Sequence, residues 1–314
     1  MLKELLKARL REDTGYVLPV LEKQVLKDGK VDALRRRRDC FHPSEISRGF
    51  CPREWLLMDR NRDLYLAESG TAQQQLHFAT GHALHEMVQA TLGRAGVLWG
   101  NWKCTRNCSG GTCTFTGFKP DKDACPDSKD GWVYEEISVV DEELNIRGHT
   151  DGILVLRKGK FVFEFKSANT RTFSTLLEPL QAHKIQGMWY LDVLERNARK
   201  EEKQLMELQA QGHDVDLALK IVRMPYKGVI IVYMNKNDQS MREFLVDRNT
   251  KLSIAGKPTR ETVYDIVQET KPVLVETLRH RDEGTLPPRL DECTKKSCPR
   301  ARKCAARHIC FAKD

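Results

Sequence analysis

The stretch Gly148–Lys166, GHTDGILVLRKGKFVFEFK, constrains this chain more than any other part of it. Two apolar runs, Gly152–Leu156 and Phe161–Phe165, flank a polar turn over Arg157–Lys160. Runs rich in Val, Ile and Phe with a glycine-bearing turn between them predict two adjacent strands. Alternate side chains of a strand point to opposite faces. Glu164 and Lys166 therefore share one face, and Phe165 turns into the core on the other. Asp151 precedes the first strand, so the hairpin brings it near Glu164. Two carboxylates meeting at one point repel unless a cation lies between them.

The surroundings fit an α/β domain with a mixed central sheet flanked by helices. Further strands are expected at Glu136–Val140, Leu144–Arg147, Gly228–Met234 and Arg242–Val246. Helical patterns cover residues 43–60, with a break near Cys51 at Pro52, and residues 73–95, 178–212 and 259–283. Gly81 in the second of these marks a close approach or a nearby ligand. Residues 1–40 read as an N-terminal helical segment and 41–290 as the main domain. Within that domain, 99–132 is an inserted cysteine-rich module, and 291–314 forms a cysteine-rich tail. No run of about 18 apolar residues is present, and the charged N-terminus, MLKELLKARLRED, has no signal-peptide core. The expectation is a cytoplasmic protein without a membrane partner, in a bacterial or phage-infected cell, with its 10 cysteines reduced. The excess of 52 Lys and Arg over 44 Asp and Glu, a net charge of +8, is compatible with a polyanionic partner. The run Arg35–Arg38 reads either as a solvated helix end or as a phosphate contact.

Paired carboxylates are hard oxygen ligands and suit Mg²⁺ or Mn²⁺. An ion there would lower the pKa of a bound water and stabilise charge on a phosphoryl oxygen. Lys166 beside it would orient the water or stabilise the developing charge. An imidazole from His85 would complete the shell and favour Mn²⁺. The set describes metal-assisted hydrolysis of a phosphodiester.

Gly81-x-x-x-His85, Gly148-His149-Thr150-Asp151, Glu164-Phe165-Lys166 and Gln186-x-x-x-Tyr190 occur in this order. From about Ser44 to Cys310 the chain resembles the RecB-like PD-(D/E)XK nucleases, which have a restriction-endonuclease-like core. The resemblance implies that His85, Asp151 and Glu164 bind the catalytic ion with help from the backbone of Phe165. It also implies that Lys166 assists the water and that Gln186 and Tyr190 position the DNA strand or the lysine. His82, His149 and His183 lie near these motifs and read as structural or as secondary DNA contacts.

Cys293, Cys298, Cys304 and Cys310 crowd the tail, and thiolates so close would ligate Zn²⁺ or an iron–sulfur cluster. One branch of the family, the CRISPR adaptation exonucleases and many phage exonucleases, holds a [4Fe–4S] cluster on one cysteine before the core and three after it. Cys51 matches the first, and the four tail cysteines compete for three places, because the usual C-x2-C-x5-C is absent. Such a cluster would clamp the tail to the N-terminal helix. A second set, Cys104, Cys108, Cys113 and Cys125 with Gly110-Gly111 between, suits a tetrahedral Zn²⁺ site. Phage-type members resemble this, with a zinc-ribbon-like insertion before the aspartate motif. A degenerate ribbon without metal is the other reading, and Cys40 lies outside both sets.

The function implied is a metal-dependent DNA exonuclease acting on single strands or duplex ends in recombination, repair or replication, of phage type. Arg171, Lys184 and the arginine run would track phosphates, and Trp132, Trp189 or Tyr190 would stack on bases. A recombination protein is an open partner. Two alternatives stand: a CRISPR adaptation nuclease trimming DNA before integration, and a catalytically inactive DNA-binding module.

Overall fold

The computed structural model describes residues 17–35, 37, 39–47, 49–61, 70–105, 113–120, 125, 131–254 and 256–312. The chain divides into two compact units. The larger takes residues 40–53 and 83–291, and the smaller takes 1–39, 54–82 and 292–314.

In the larger unit a mixed sheet is flanked by helices. Its strands are β1 (Leu98–Cys104), β2 (Thr114–Gly117), β3 (Trp132–Glu135), β6 (Gly152–Leu156), β7 (Gly159–Ala168), β8 (Tyr226–Asn235) and β9 (Met241–Val246). They run in the order β2-β1-β6-β7-β8-β9, with β3 also paired to β1. The expected hairpin is present: β6 and β7 are antiparallel, with Gly152 opposite Phe163 and Leu156 opposite Gly159. β7 and β8 are parallel, and a parallel pair needs a long crossover. Helices α4 (Thr170–Ser174), α5 (Gln181–Ala210) and α6 (Asp216–Arg223) supply it. Two separate hairpins, β4 (Ile137–Asp141) with β5 (Ile146–Thr150) and β10 (Lys251–Ile254) with β11 (Lys257–Thr262), accompany the sheet.

The alternation in KFVFEFK sorts the two faces. Phe161, Phe163 and Phe165 join Ile230 and Met234 in a buried cluster. Leu84, Val88 and Leu92, spaced four apart on helix α3 (Ala72–Arg94), pack over it. Val162, Glu164 and Lys166 face the other way, toward α5, which packs on β7 and β8. There a Cβ at Gly187 would stand 2.8 Å from Val229, so glycine lets the helix settle close to the sheet. Lys160 shares that face, and its Nζ donates to the carbonyls of Ile221 (2.8 Å) and Val222 (3.2 Å) near the C-terminus of α6. A buried ammonium among helix-end carbonyls keeps its hydrogen bonds there.

Several boundaries differ from expectation. Residues 43–45 form a turn in place of the expected helix, and helix α2 (Pro52–Arg60) begins at the proline, which has no N–H to lose at a first helical position. The close approach on α3 falls at Gly93, where a Cβ would collide with the buried Trp102 ring. The last long helix, α7 (Val263–Asp282), starts four residues later than predicted. Thr262 and Asp265 form a capping box, and Lys257–Thr262 is strand. The cysteine-rich stretch grows directly from the sheet. Leu98 and Trp99 of β1 pair with β6, while its remaining residues pair with β2 and β3.

In the smaller unit, helix α1 (Leu18–Arg35) meets the start of α3, where a Cβ at Gly29 would abut the Gln75 side chain. The tail folds into α8 (Pro299–Arg302) and α9 (Arg307–Cys310). It docks on α2: Arg300 pairs with Glu54 at 2.9 Å, and the Ala305 N–H donates to the same carboxylate at 3.2 Å. Residues 1–16 of the expected N-terminal helices lie outside the described residues. Among the described residues no helix is long and apolar enough to cross a membrane.

Gly93→Ala gains about 1 kcal/mol of helix propensity. It also forces a methyl group into a rigid indole, and overpacking of that kind costs about 1–3 kcal/mol. The expected outcome is a net loss of stability, read as a lower urea midpoint at unchanged slope.

Candidate metal centre

β6 ends at Gly152, opposite Phe163, so Phe165 has no strand partner on that side. Asp151 takes the vacant place. Its Oδ2 accepts the Phe165 N–H at 2.6 Å, and its Oδ1 lies 3.1 Å from His85 Nδ1. Gln89, one turn along α3 from His85, donates to the Asp151 carbonyl at 3.0 Å. The His85 ring stands edge-on to Phe165, centroids 4.9 Å apart, so the core cluster fixes the imidazole. Burial pushes that imidazole down, but the hydrogen bond and charge of Asp151 push it up further, and it ends above its ordinary value.

Glu164 and Lys166 approach from the opposite face of β7. Lys166 Nζ donates to Glu164 Oε1 at 2.6 Å. Glu164 is 2% exposed, and its Oε2 is buried with no hydrogen-bond partner. Burial first, and then the Asp151 charge, push its carboxyl up to about 8. Burial lowers Lys166, yet the charges of Glu164 and Asp151 hold it above its ordinary range.

His85, Glu136 and Asp151 each offer a ligand atom, all within 4.8 Å of one another, and this group could hold a metal ion. The 3.1 Å between His85 and Asp151 matches adjacent ligands of an octahedral ion, about 3 Å apart for bonds of roughly 2.1 Å. One imidazole with carboxylates suits Mn²⁺ better than Ca²⁺. A buried carboxylate oxygen without a donor beside this group fits a cation as well. Glu136 was absent from the expected ligand set, and no motif marks it. Glu164, expected as the third ligand, stands next to the group with one oxygen held by Lys166.

Tyr190 and Gln186 sit beneath Glu164 on α5. The Gln186 amide donates to the Tyr190 hydroxyl at 3.2 Å, and Tyr190 is 4% exposed. Burial and the Glu164 charge raise the phenol well above its usual range. A Cβ at Gly148 would lie 3.0 Å from the Tyr190 ring, which accounts for the glycine of the aspartate motif. His183 shares a 2.7 Å hydrogen bond with Tyr233, and burial and then Lys166 push it down to about 4, so it is neutral. His149 and His82 are exposed.

Three expected DNA contacts are corrected. Trp189 is fully buried and donates to the Ile46 carbonyl at 3.0 Å, so it is core and offers no face to a base. Tyr190 is core for the same reason. Lys184 is 1% exposed and bonds Glu178 at 2.8 Å, because its position on α5 faces inward. Arg37 of the arginine run pairs with Asp39 at 2.6 Å, and Arg171 is exposed.

Three cysteines of the inserted stretch are described. Cys125 Sγ lies 3.9 Å from Cys104 Sγ and 3.8 Å from Cys113 Sγ, against the buried Trp102 and Trp132 rings. Cys108 lies outside the described residues. In the tail Cys298 caps α8, its Sγ accepting the Ala301 N–H at 3.3 Å. That bond, ahead of a hydrogen bond from Cys293, lowers the thiol pKa. Cys51, Cys293, Cys304 and Cys310 form no disulfide.

No protein-family model matches the chain, and no curated protein does. Among solved structures it is similar to the crystal structure of SSO0001, with 15% identity, coverage of 93% of this chain and 96% of that one, and a TM-score of 0.41. So distant a likeness carries no functional argument.

In protein stripped of divalent ions, Glu164 keeps its proton up to about pH 8, whereas the unfolded chain loses it near 4.5. The native state then binds more protons across that window, and stability falls as pH rises through it. Glu164→Gln should flatten this dependence and melt higher than the parent at pH 8, measured by thermal denaturation in chelator.

Proposed function

We propose that this chain is a divalent-metal-dependent DNA exonuclease of the RecB-like PD-(D/E)XK type. It would hydrolyse phosphodiester bonds at single strands or duplex ends in recombination, repair or replication. The observation that carries this reading is the meeting of His85, Asp151, Glu164 and Lys166 where β6 stops short of β7, with one buried Glu164 oxygen lacking a donor. A purely binding protein gains nothing from such buried charge, which costs stability unless a ligand or a reaction uses it.

A Mg²⁺ or Mn²⁺ bound here would supply a water of lowered pKa and positive charge for phosphodiester hydrolysis. His85 and Asp151 would hold that ion, and Asp151 is itself fixed by the Phe165 amide and Gln89. Glu164, whose second oxygen is buried without a donor, would complete the shell by the same resemblance. Lys166, charged and 20% exposed at its side chain, reaches solvent and is placed to orient the attacking water or to hold charge on the phosphate. By the same resemblance Tyr190 and Gln186 would position the DNA strand or Lys166. The exposed Arg171, from the expected set, would meet the DNA backbone.

Two further cofactors belong to this reading. Thiolates around a tetrahedral Zn²⁺ with bonds of about 2.3 Å stand about 3.8 Å apart. Cys125 stands at about that distance from both Cys104 and Cys113, and in this reading those three and Cys108 would be the ligands. Cys51 and three of the four tail cysteines are assigned to a [4Fe–4S] cluster on their order alone.

The test is release of nucleotides from end-labelled single-stranded and duplex DNA by anaerobically purified protein with Mn²⁺ or Mg²⁺. Glu164→Ala should abolish release, and Lys166→Ala should slow it by roughly 10²–10⁴-fold. DNA binding without metal-dependent turnover in the parent would sink the catalytic reading. Elemental analysis of the purified chain should find one zinc, lost in Cys125→Ser.

A further inference from the structure

Glu136 belongs to no motif, yet two ladders pin it beside Asp151. On one side β3 ends with Glu135 opposite Asn101 of β1. On the other, β4 begins with Ile137 opposite Thr150, the residue before Asp151. A single residue held between two registered strands has little freedom, and its carboxylate joins His85 and Asp151 within 4.8 Å. The unpartnered, buried Glu164 oxygen next to this group independently points to a bound cation.

The first of those ladders is also the wall of the thiol cluster. Trp132 of β3 stands opposite Cys104 of β1 and packs against Cys104 and Cys125. Two residues on, Tyr134 stands opposite Trp102, its ring 5.1 Å from the Trp102 ring, and its hydroxyl faces the Trp99 carbonyl at 3.4 Å. Tyr134 also lies against Gly152, whose Cβ would meet its hydroxyl at 3.0 Å. The strand that closes over the cysteines therefore runs, residue by residue, to the ion centre.

We infer that Glu136 is a ligand of the ion held by His85 and Asp151, and that the cysteine cluster sets this centre's affinity by holding β3, and thus Glu136, in register. This rests on the metal-centre reading above and adds a dependence of one site on the other. It assigns the cysteine module a positioning role toward the ion, with Glu136 as the transmitting side chain.

The test is Mn²⁺ binding to the whole chain without DNA, with free ion followed by electron paramagnetic resonance. Glu136→Gln should weaken Mn²⁺ roughly tenfold or more, a loss typical of disturbing a metal shell. Cys125→Ser should weaken it several-fold in the parent and add nothing in the Glu136→Gln background, since both act through one residue. Circular dichroism checks folding, and Cys113→Ser, at the half-buried edge of the cluster, replaces Cys125→Ser if the latter does not fold. Unchanged affinity in Glu136→Gln overturns the proposal. So does a cysteine variant that changes nothing, or one that weakens Mn²⁺ equally in both backgrounds. Loss of binding in Asp151→Asn while Glu136→Gln still binds fully would remove Glu136 and leave the metal centre standing. A parent that binds no Mn²⁺ would remove both.

Discussion

The hydrogen bond from the Phe165 amide to the Asp151 carboxylate is the contact on which the site depends. It exists because β6 is shorter than β7, so the last residues of β7 have unmet backbone groups on that side. A carboxylate one residue before β6 satisfies the amide, and in doing so it is fixed at the sheet edge. From there it is open to both faces of β7. His85 reaches it over the Phe165 ring from α3, and Glu164 and Lys166 lie on the α5 side. A longer β6 would pair Phe165 with backbone and leave Asp151 elsewhere.

The cost of that arrangement is buried charge. Glu164 has one oxygen on Lys166 and none on the other, and the Asp151 carboxylate is close enough to raise its pKa. Lys166 offsets part of the repulsion, and in the ion-free protein the remainder is relieved by the proton that Glu164 retains. A divalent cation would take the place of that proton. The neighbouring core is arranged around this, with Tyr190 and Gln186 beneath Glu164 and a neutral His183 beside Lys166.

The cysteine-rich stretch is continuous with the sheet. β1 pairs with β6 through its first residues and with β2 and β3 through the rest, so the strand that edges the core also carries Cys104. Trp102 fills the junction, and Gly93 on α3 is shaved back to admit it. The thiols and the carboxylates are thereby built on two ends of one ladder.

Much of this was legible in the residues themselves. Strand alternation in KFVFEFK put Glu164 and Lys166 on one face and Phe165 on the other, because the strand period is local geometry. Apolar spacing placed α3 and α5 to within a few residues, and the capping box at Thr262 and Asp265 marks the start of α7 by local hydrogen bonding. What tertiary structure alone decided is which polar residues meet. Glu136 lies far from any motif and reaches Asp151 only through the pairing of β3 with β1 and β4 with β5. Whether Trp189 and Lys184 face solvent depends on how α5 rolls onto the sheet, a packing choice that no local pattern along the helix records.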